Sequence, residues 1–334
     1  MTLFHARFPL AWREGIEICV PDKFGPNPQD KRQPNPDRPS RAIVIATQVI
    51  EQSLDLDFDV MISDHAPADL LLQRAGRLHR HSANAATRRH PYRLLIALPE
   101  ILEGAPQFER SDKLVYEEFV LLRSWLALRT CTGRTIRIPE DVAELIELVY
   151  GDVIIPDVSS EMTEKLAIAK NKMDAAERTD QFNAKRHLIG KPKDELLLLG
   201  ENIGLEEDDP RVHETFQALI RGDRPGVNVV RLHRVGERLC LEPDGAGDTY
   251  DPTVTPNRDL IRELARHSVT IRRPDVEKYL LEPTEPEIVE ILEHWKEVAA
   301  LRYHRVAIFE NEFSKLYGSP YTLRLTRIYG LEIQ

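Results

Sequence analysis

Residues 42–63 read Ala42-Ile43-Val44-Ile45-Ala46-Thr47-Gln48-Val49-Ile50-Glu51-Gln52-Ser53-Leu54-Asp55-Leu56-Asp57-Phe58-Asp59-Val60-Met61-Ile62-Ser63. Two apolar runs, Ala42 to Ala46 and Phe58 to Ser63, bracket a polar, acidic connection. A short, continuous apolar run bounded by polar residues is the pattern of a strand buried on both faces of a parallel sheet. Downstream, Asp69 to Arg80 reads as a helix with Asp69 as its cap, and Tyr92 to Leu98 as a third apolar strand. Upstream, residues 2–5 form a short strand candidate and residues 9–20 a helix candidate opening near Pro9. Strands that alternate with helices predict βαβ units and a helix-covered parallel sheet.

Between these elements, residues 21–40 hold Pro21, Pro26, Pro28, Pro34, Pro36, Pro39 and Gly25. No regular element survives that proline density, so the stretch reads as an exposed loop. Beyond Glu100 the texture changes. Residues 111–130 and 139–150 look helical. Residues 158–188, rich in Ala, Glu, Lys and Met and free of Pro and Gly, read as one long charged helix or as a mobile linker. Lys191 to Pro210 is an acidic loop. From about Val212 short strands (Val227 to Leu232, Arg238 to Leu241) mix with helices (Arg258 to His267, Glu285 to Ala299). The fold class is α/β, with expected domains over 1–105, 106–200 (helical extension and linker) and 201–334 (a smaller α+β domain).

The chain of 334 residues carries 45 Lys+Arg against 55 Asp+Glu, a net charge of −10, which taken alone argues against a nucleic-acid partner. The distribution reverses that inference. Ile50 to Asp69 holds Glu51, Asp55, Asp57, Asp59, Asp64 and Asp69 with no Lys or Arg. Leu70 to Pro99 holds Arg74, Arg77, Arg80, Arg88, Arg89 and Arg93 with no Asp or Glu. Arginine is the cation whose fork matches phosphate. No apolar run reaches the roughly 18–20 residues of a membrane span, and the N-terminus lacks a signal-peptide pattern. Cys19, Cys131 and Cys240 are far apart and odd in number; they read as buried thiols in a reducing cytoplasm, with no metal site.

On a helical wheel, Leu71, Ala75 and Leu78 share one side, and Gln73, Arg77 and Arg80 the other, with Gly76 beside them. One face would dock on the sheet while the opposite face offers an amide and two guanidiniums to a phosphate chain. A solvated amphipathic helix fits the same wheel.

The motifs resolve this choice. Ile43 to Asp59 resembles motif V of superfamily two helicases, Gln73-Arg74-Ala75-Gly76-Arg77-Leu78-His79-Arg80 resembles motif VI, and Leu3-Phe4-His5-Ala6-Arg7-Phe8 resembles motif IV. Their wording is most similar to the CRISPR-associated helicase-nuclease of type I systems, as are Ile138 to Asp141 and the terminal Gly330 to Ile333. The resemblance is dense over about 1–150 and weaker over about 205–334. It implies a partial second RecA-like lobe, from motif IV onward, within residues 1–105, followed by a helical linker and an accessory C-terminal domain.

Roles follow by matching. Arg77 and Arg80 correspond to arginine fingers at the γ-phosphate, a contribution on the order of 10³–10⁵ in rate. Gln73 and Asp55 match nucleotide-site positions. Thr47 and Gln48 match contacts to the DNA backbone, and His5 and Arg7 either contact DNA or hold the first turn. Arg74 is expected to tie its helix to neighbouring carboxylates. Asp57 and Asp59 read as turn and strand-edge residues, and His79 and His81 as surface histidines. The resemblance implies ATP and Mg²⁺ as cofactors, single-stranded DNA and a CRISPR surveillance complex as partners, no membrane, and a cytoplasmic location.

A phosphate loop, an acidic Mg²⁺ motif and the nuclease His-Asp pairing are not found in the sequence; Gly190-Lys191-Pro192 lacks the upstream glycine and the hydroxyl residue. The chain therefore reads as starting inside the second lobe, as a fragment, a split gene product or an incomplete reading frame of a larger helicase; as a split product, its partner would be a separate chain carrying the first lobe and the nuclease domain. Beside the helicase stand three other readings: a non-catalytic module binding DNA or the surveillance complex, a truncated inactive remnant, and a different helicase of the same superfamily.

Overall fold

In a computed structural model, residues 1–51, 54–88, 90–133, 135–186 and 226–334 are described. In chain order they form β1 (Thr2–Phe4), α1 (Leu10–Phe24), β2 (Val44–Ala46), β3 (Met61–Asp64), α2 (Ala68–Ala75), β4 (Leu94–Ala97), β5 (Glu100–Leu102), β6 (Ala105–Gln107), α3 (Arg110–Val115), α4 (Glu118–Thr130), α5 (Val142–Tyr150) and α6 (Ser160–Arg186). They continue with β7 (Val227–Val235), β8 (Arg238–Cys240), β9 (Thr249–Tyr250), α7 (Arg258–Arg266), β10 (Ser268–Ile271), α8 (Pro274–Leu281), α9 (Pro286–Lys296), β11 (Arg305–Glu310), β12 (Phe313–Lys315), β13 (Thr322–Thr326) and β14 (Gly330–Ile333). The described residues fall into two compact units. The first lies within Met1–Phe58, His79–Arg89 and Arg224–Gln334, the second within Asp59–Leu78 and His90–Asp223. The predicted acidic loop Lys191 to Pro210 lies outside the described residues, as do positions 187–188 of the long helix.

The α/β class expected from the pattern is what forms. In the first unit β1 pairs parallel with β2 across the helix α1, in register Leu3↔Ile45 and Phe4↔Ala46. In the second, β3 pairs parallel with β4 across α2, Ile62 opposite Leu95. The expectation of strands buried on both faces fails. Phe4, Val20, Phe24, Ile50 and Leu56 form a core on one side of β1–β2, with Val44 and Ala46 packed against it, while Ile43 and Ile45 are exposed. Ile62 is 76% exposed. Side chains alternate along a strand, and among the described residues one layer covers each pair, so every second apolar side chain faces outward. The helix candidate at 9–20 runs on to Phe24 and carries Pro21 within it; the remaining prolines of 26–40 lie in irregular chain. The candidate at 111–130 divides at Tyr116 and Glu117 into α3 and α4.

The second unit holds its helices through Leu121, Leu122, Trp125 and Leu126 of α4. Met162, Leu166 and Ala169 of α6 pack on the same cluster. Their spacing of three or four puts them on one helical face. From Glu177 to Lys185 every residue of α6 is exposed.

The first unit is organised by β7. It lies between β11, parallel on one edge, and β10 and β8, antiparallel on the other. Its nine residues alternate. Val227 and Val229 join Phe8 and Trp12 of the N-terminal region. Val230 and Leu232 join Leu264, Ile291 and Trp295 of α7 and α9. Parity therefore sends Arg231 and His233 to the Trp12 side. There Glu242 accepts from Trp12 Nε1 (3.2 Å), Arg231 Nη2 (3.3 Å), Arg327 Nη2 (2.6 Å) and pairs with His267 Nε2 at 3.1 Å. The Arg231 and Arg327 guanidiniums lie 4.2 and 4.1 Å from the Trp12 ring centre. Arg231 Nη1 donates to His233 Nε2 at 2.8 Å. A guanidinium only donates, so His233 is neutral with Nε2 bare. Arg266 adds an ion pair to Glu14 of α1 at 2.5 Å. This network clamps α1 to the large sheet.

The C-terminal strand also holds the start of the chain. Leu331 N donates to the Arg7 carbonyl at 2.9 Å. Gly330 sits at φ +68°, where a Cβ would lie 2.7 Å from the Arg7 oxygen.

Two expectations follow. Gly330→Ala combines left-handed strain with a backbone clash, so urea unfolding should show a loss of about 2–4 kcal/mol. Acid should loosen the Glu242 network in two stages. Burial, then the Arg231 charge, hold His233 down at about 4. Its folded value lies below the ordinary 6.5, so its contribution is complete above pH 6.5 and is lost as pH falls through 4. Burial works to raise Glu242, but the His267, Arg231, Arg327 and Trp12 contacts outweigh it and hold it at about 2. Its contribution is complete above the ordinary carboxylate value and is lost as pH falls toward 2. Unfolding curves between pH 7 and 3 should steepen below 6.5, and His233→Gln should flatten the 6.5–4 stretch; an unchanged slope in that variant counts against it.

Candidate nucleotide and nucleic-acid site

The carboxylate block and the arginine block meet in the turn that follows α2. α2 ends at Ala75, not at Arg80, and Pro67 rather than Asp69 occupies its N-cap position. Gly76 closes it, and Arg77 N and Leu78 N donate to the Arg74 and Ala75 carbonyls, each at 3.0 Å. His79 then takes a left-handed φ of +51°. The wheel therefore stops applying at Ala75. Gln73 is exposed and Arg77 is buried, 8% exposed, both in the second unit. Glycine is a poor helix former, and it breaks the face that the periodicity had drawn through Arg77 and Arg80.

Arg80 belongs to the first unit, and so does Asp55. Arg80 Nε meets Asp55 Oδ1 at 2.7 Å, both side chains nearly half exposed, and His81 Nε2 stands 3.3 Å from the same oxygen. This pair joins two of the predicted nucleotide-site residues. A guanidinium held at Nε still carries four Nη–H donors, which is the donor set that a phosphate takes. The residues present therefore fit a nucleotide phosphate, with Arg80 as the group that would hold it.

Two positions away from Asp55, Asp57 is fully buried. Oδ1 accepts from the Arg80 backbone N at 2.7 Å, Oδ2 from Asn84 Nδ2 at 2.7 Å, and Arg88 Nη2 reaches both oxygens at 2.9 and 2.8 Å. Arg38 Nη1 donates to the Asp57 carbonyl at 2.7 Å and lies 3.8 Å from Oδ2. The turn reading of Asp57 missed this hub. The signal available in the sequence was an arginine block without acids of its own beside an acidic block. His79 N donates to the Phe58 carbonyl at 3.0 Å, closing the same turn.

The predicted nucleic-acid residues lie in the first unit at the C-terminal ends of β1 and β2. Both strands stop at paired residues, Phe4 and Ala46, so His5-Ala6-Arg7 and Thr47-Gln48 emerge from the same edge. Thr47 N donates to the Phe4 carbonyl at 3.2 Å. The Arg7, Thr47 and Gln48 side chains are exposed. His5 holds the turn: its Nδ1 accepts from Arg7 N at 3.0 Å and its ring stacks on Phe8 at 4.7 Å. Burial, then the neighbouring Arg7 charge, lower its pKa. Ligands of open parallel sheets gather outside such strand ends.

Arg74 holds the second unit together through hydroxyl and carbonyl oxygens: Ser63 Oγ at 2.6 Å, the Asp64 carbonyl at 3.4 Å and Tyr116 OH at 3.1 Å. Asp69 accepts from Tyr150 OH at 2.6 Å. His65 is buried, its Nε2 3.1 Å from the Leu121 carbonyl, and burial lowers its pKa. Cys131 and Cys240 are buried, while Cys19 is only half-buried.

The chain is an α/β protein with a charged turn after its βαβ helix and polar side chains at parallel strand ends. Residues 1–83 match the family described as "CRISPR-associated nuclease/helicase Cas3, C-terminal". The CRISPR-associated endonuclease/helicase Cas3 of Thermus thermophilus is 40% identical over 255 residues, covering 73% of this chain and 26% of that protein. The T. fusca Cas3–ADP crystal structure matches with TM-score 0.74 and 29% identity, over 99% of this chain and 35% of that one. A CRISPR RNA-guided surveillance complex, pre-nicking, holds a chain matched with TM-score 0.69 and 27% identity, over 99% of this chain and 37% of that one. The chain belongs to the Cas3 family and corresponds to a C-terminal portion of its members. It spans about a quarter of the Thermus relative and about a third of the solved chains.

Loss of the Arg74 contacts should be costly. Arg74→Gln is expected to lower stability by about 1.5–3 kcal/mol, the range for hydrogen bonds from a charged group, read from urea unfolding.

Proposed function

We propose that this chain supplies the second RecA-like part of an ATP-driven, single-stranded-DNA translocase acting in CRISPR defence in the cytoplasm. The observation that carries the proposal is the half-exposed Arg80 guanidinium held on Asp55 by Nε. Arg80 offers its Nη groups to the γ-phosphate, where charge develops as the bond to the leaving group lengthens. Arg77 is the second arginine of the motif, and the motif resemblance assigns Gln73 to the nucleotide as well. ATP with Mg²⁺, bound together with a first helicase lobe, supplies the phosphoryl-transfer energy. Thr47, Gln48 and Arg7 grip the DNA backbone from the strand ends. Such contacts go to phosphate, so binding is salt-dependent and weakly selective for sequence. A CRISPR surveillance complex is the partner that delivers the DNA.

The test combines this chain with a separately expressed first lobe of a Cas3 relative and measures DNA-stimulated ATPase. Arg80→Ala should lower kcat on the order of 10³-fold, and activity that survives Arg80→Ala and Arg77→Ala unchanged removes the finger assignment. In filter binding, affinity for single-stranded DNA should fall steeply with salt, and Arg7→Ala should reduce the log–log slope by about one.

A further inference from the structure

We propose that Asp57 is a positioning residue for Arg80, acting with Asn84 and Arg88 to fix the backbone from which the Arg80 side chain reaches out. The inference rests on the nucleotide reading of Arg80 and adds the device that aims it.

Arg80 is held twice. Asp55 takes its side chain at Nε, and Asp57 takes its backbone N at 2.7 Å. The two carboxylates differ in setting. Asp55 is 45% exposed and shares solvent with Arg80, whereas Asp57 is 0% exposed. An exposed ion pair is weak and easily exchanged, so Asp55 can release Arg80 to another anion. A fully buried carboxylate must keep its donors, because losing one leaves charge without compensation. Asp57 thus forms a fixed base beneath a side chain that is free to change partner.

The donors on Asp57 come from both sides of Arg80. Asn84 and Arg88 follow it in the chain, and Arg88 Nη2 also donates to the His81 carbonyl at 2.8 Å. Arg38 approaches from the proline-rich segment and donates to the Asp57 carbonyl. On the preceding side, His79 is held in the left-handed region at φ +51° with its N–H on the Phe58 carbonyl. A non-glycine residue in that region stores strain that the surroundings must over-determine, and such strain gathers at functional sites. The strained turn and the buried Asp57, whose other donors are Asn84, Arg88 and Arg38, meet at one backbone amide. That amide belongs to the one guanidinium of motif VI that lies exposed in the first unit.

The test uses the 334-residue chain. Hydrogen exchange is followed by NMR at the Arg80 backbone amide and Arg80 Nε–H, with the Leu232 amide in β7 reporting global opening. Asp57→Asn should speed exchange at the Arg80 amide at least tenfold relative to Leu232. Asn84→Ala, which keeps the carboxylate, should speed it by a smaller factor of about three. Equal changes at Arg80 and Leu232 in both variants would mean that Asp57 only stabilises the fold and would overturn the positioning role. If Asp57→Asn does not fold, Asn84→Ala and Arg88→Lys are judged by the same ratio. The ATPase of the chain combined with a first lobe separates the two readings. An Arg80→Ala variant with normal ATPase, beside an Asp57-dependent Arg80 amide, removes the nucleotide role and leaves the positioning intact. With both readings correct, Asn84→Ala lowers kcat severalfold and leaves the KM for ATP within twofold.

Discussion

A carboxylate withdrawn from water has to be answered atom by atom by its neighbours. Asp57 has no exposed surface, and its two oxygens receive the Arg80 amide, Asn84 and Arg88. Breaking such an arrangement by removing one partner costs about 3–5 kcal/mol, so the donors and the backbone that carries them are fixed together. This is why the acidic block and the basic block of the sequence are neighbours. Two of the acids serve the arginine segment directly. One is the internal counter-ion of the arginine segment, and another, Asp55, is its surface counter-ion.

The large sheet of the first unit follows the same logic around Glu242. A nine-residue strand buried on both faces normally offers only apolar side chains, yet β7 carries Arg231 and His233. Burial pushes Arg231 down to about 10, and the Glu242 charge beside it works against that shift. Trp12 supplies both a hydrogen bond to Glu242 and a ring for the two guanidiniums. In the polar stripe buried in β7, Arg231 is held by Glu242, the Leu241 carbonyl and the Trp12 ring of α1, and α1 in turn is held on the sheet. The strand pair β1–β2, with Arg7 and Thr47 at its ends, is thereby carried on the same unit as the C-terminal sheet, and Gly330 and Leu331 complete the attachment at the Arg7 carbonyl.

Much of this was legible in the chain. The alternation of apolar runs with an amphipathic segment gave the parallel pairs β1–β2 and β3–β4 with their crossover helices. The Pro- and Gly-free stretch from residue 158 gave α6. The order Thr47, Asp55, Gln73, Arg77, Arg80 was enough to draw the likeness to helicase motifs. Three things were not legible. A wheel cannot know that Gly76 stops α2 at Ala75, five residues early, so it put Arg77 on an exposed face where the fold buries it. Hydropathy cannot say how many layers cover a strand, so Ile45 and Ile62 read as doubly buried and are not. Local propensity makes any Asp in a polar connection a turn residue, and Asp57 became a hub only because Arg38 and Arg88, 19 and 31 residues away along the chain, fold onto it.

The sequence by itself determined the α/β class, the family likeness and the identity of the charged side chains, because periodicity and motif order are written in one dimension. Only the tertiary structure decided which arginine is exposed, which carboxylate is buried and which residue aims which. Those outcomes depend on solvent exclusion and on partners distant in the chain, and a charge acquires its role when water is removed from it and a particular neighbour takes water's place.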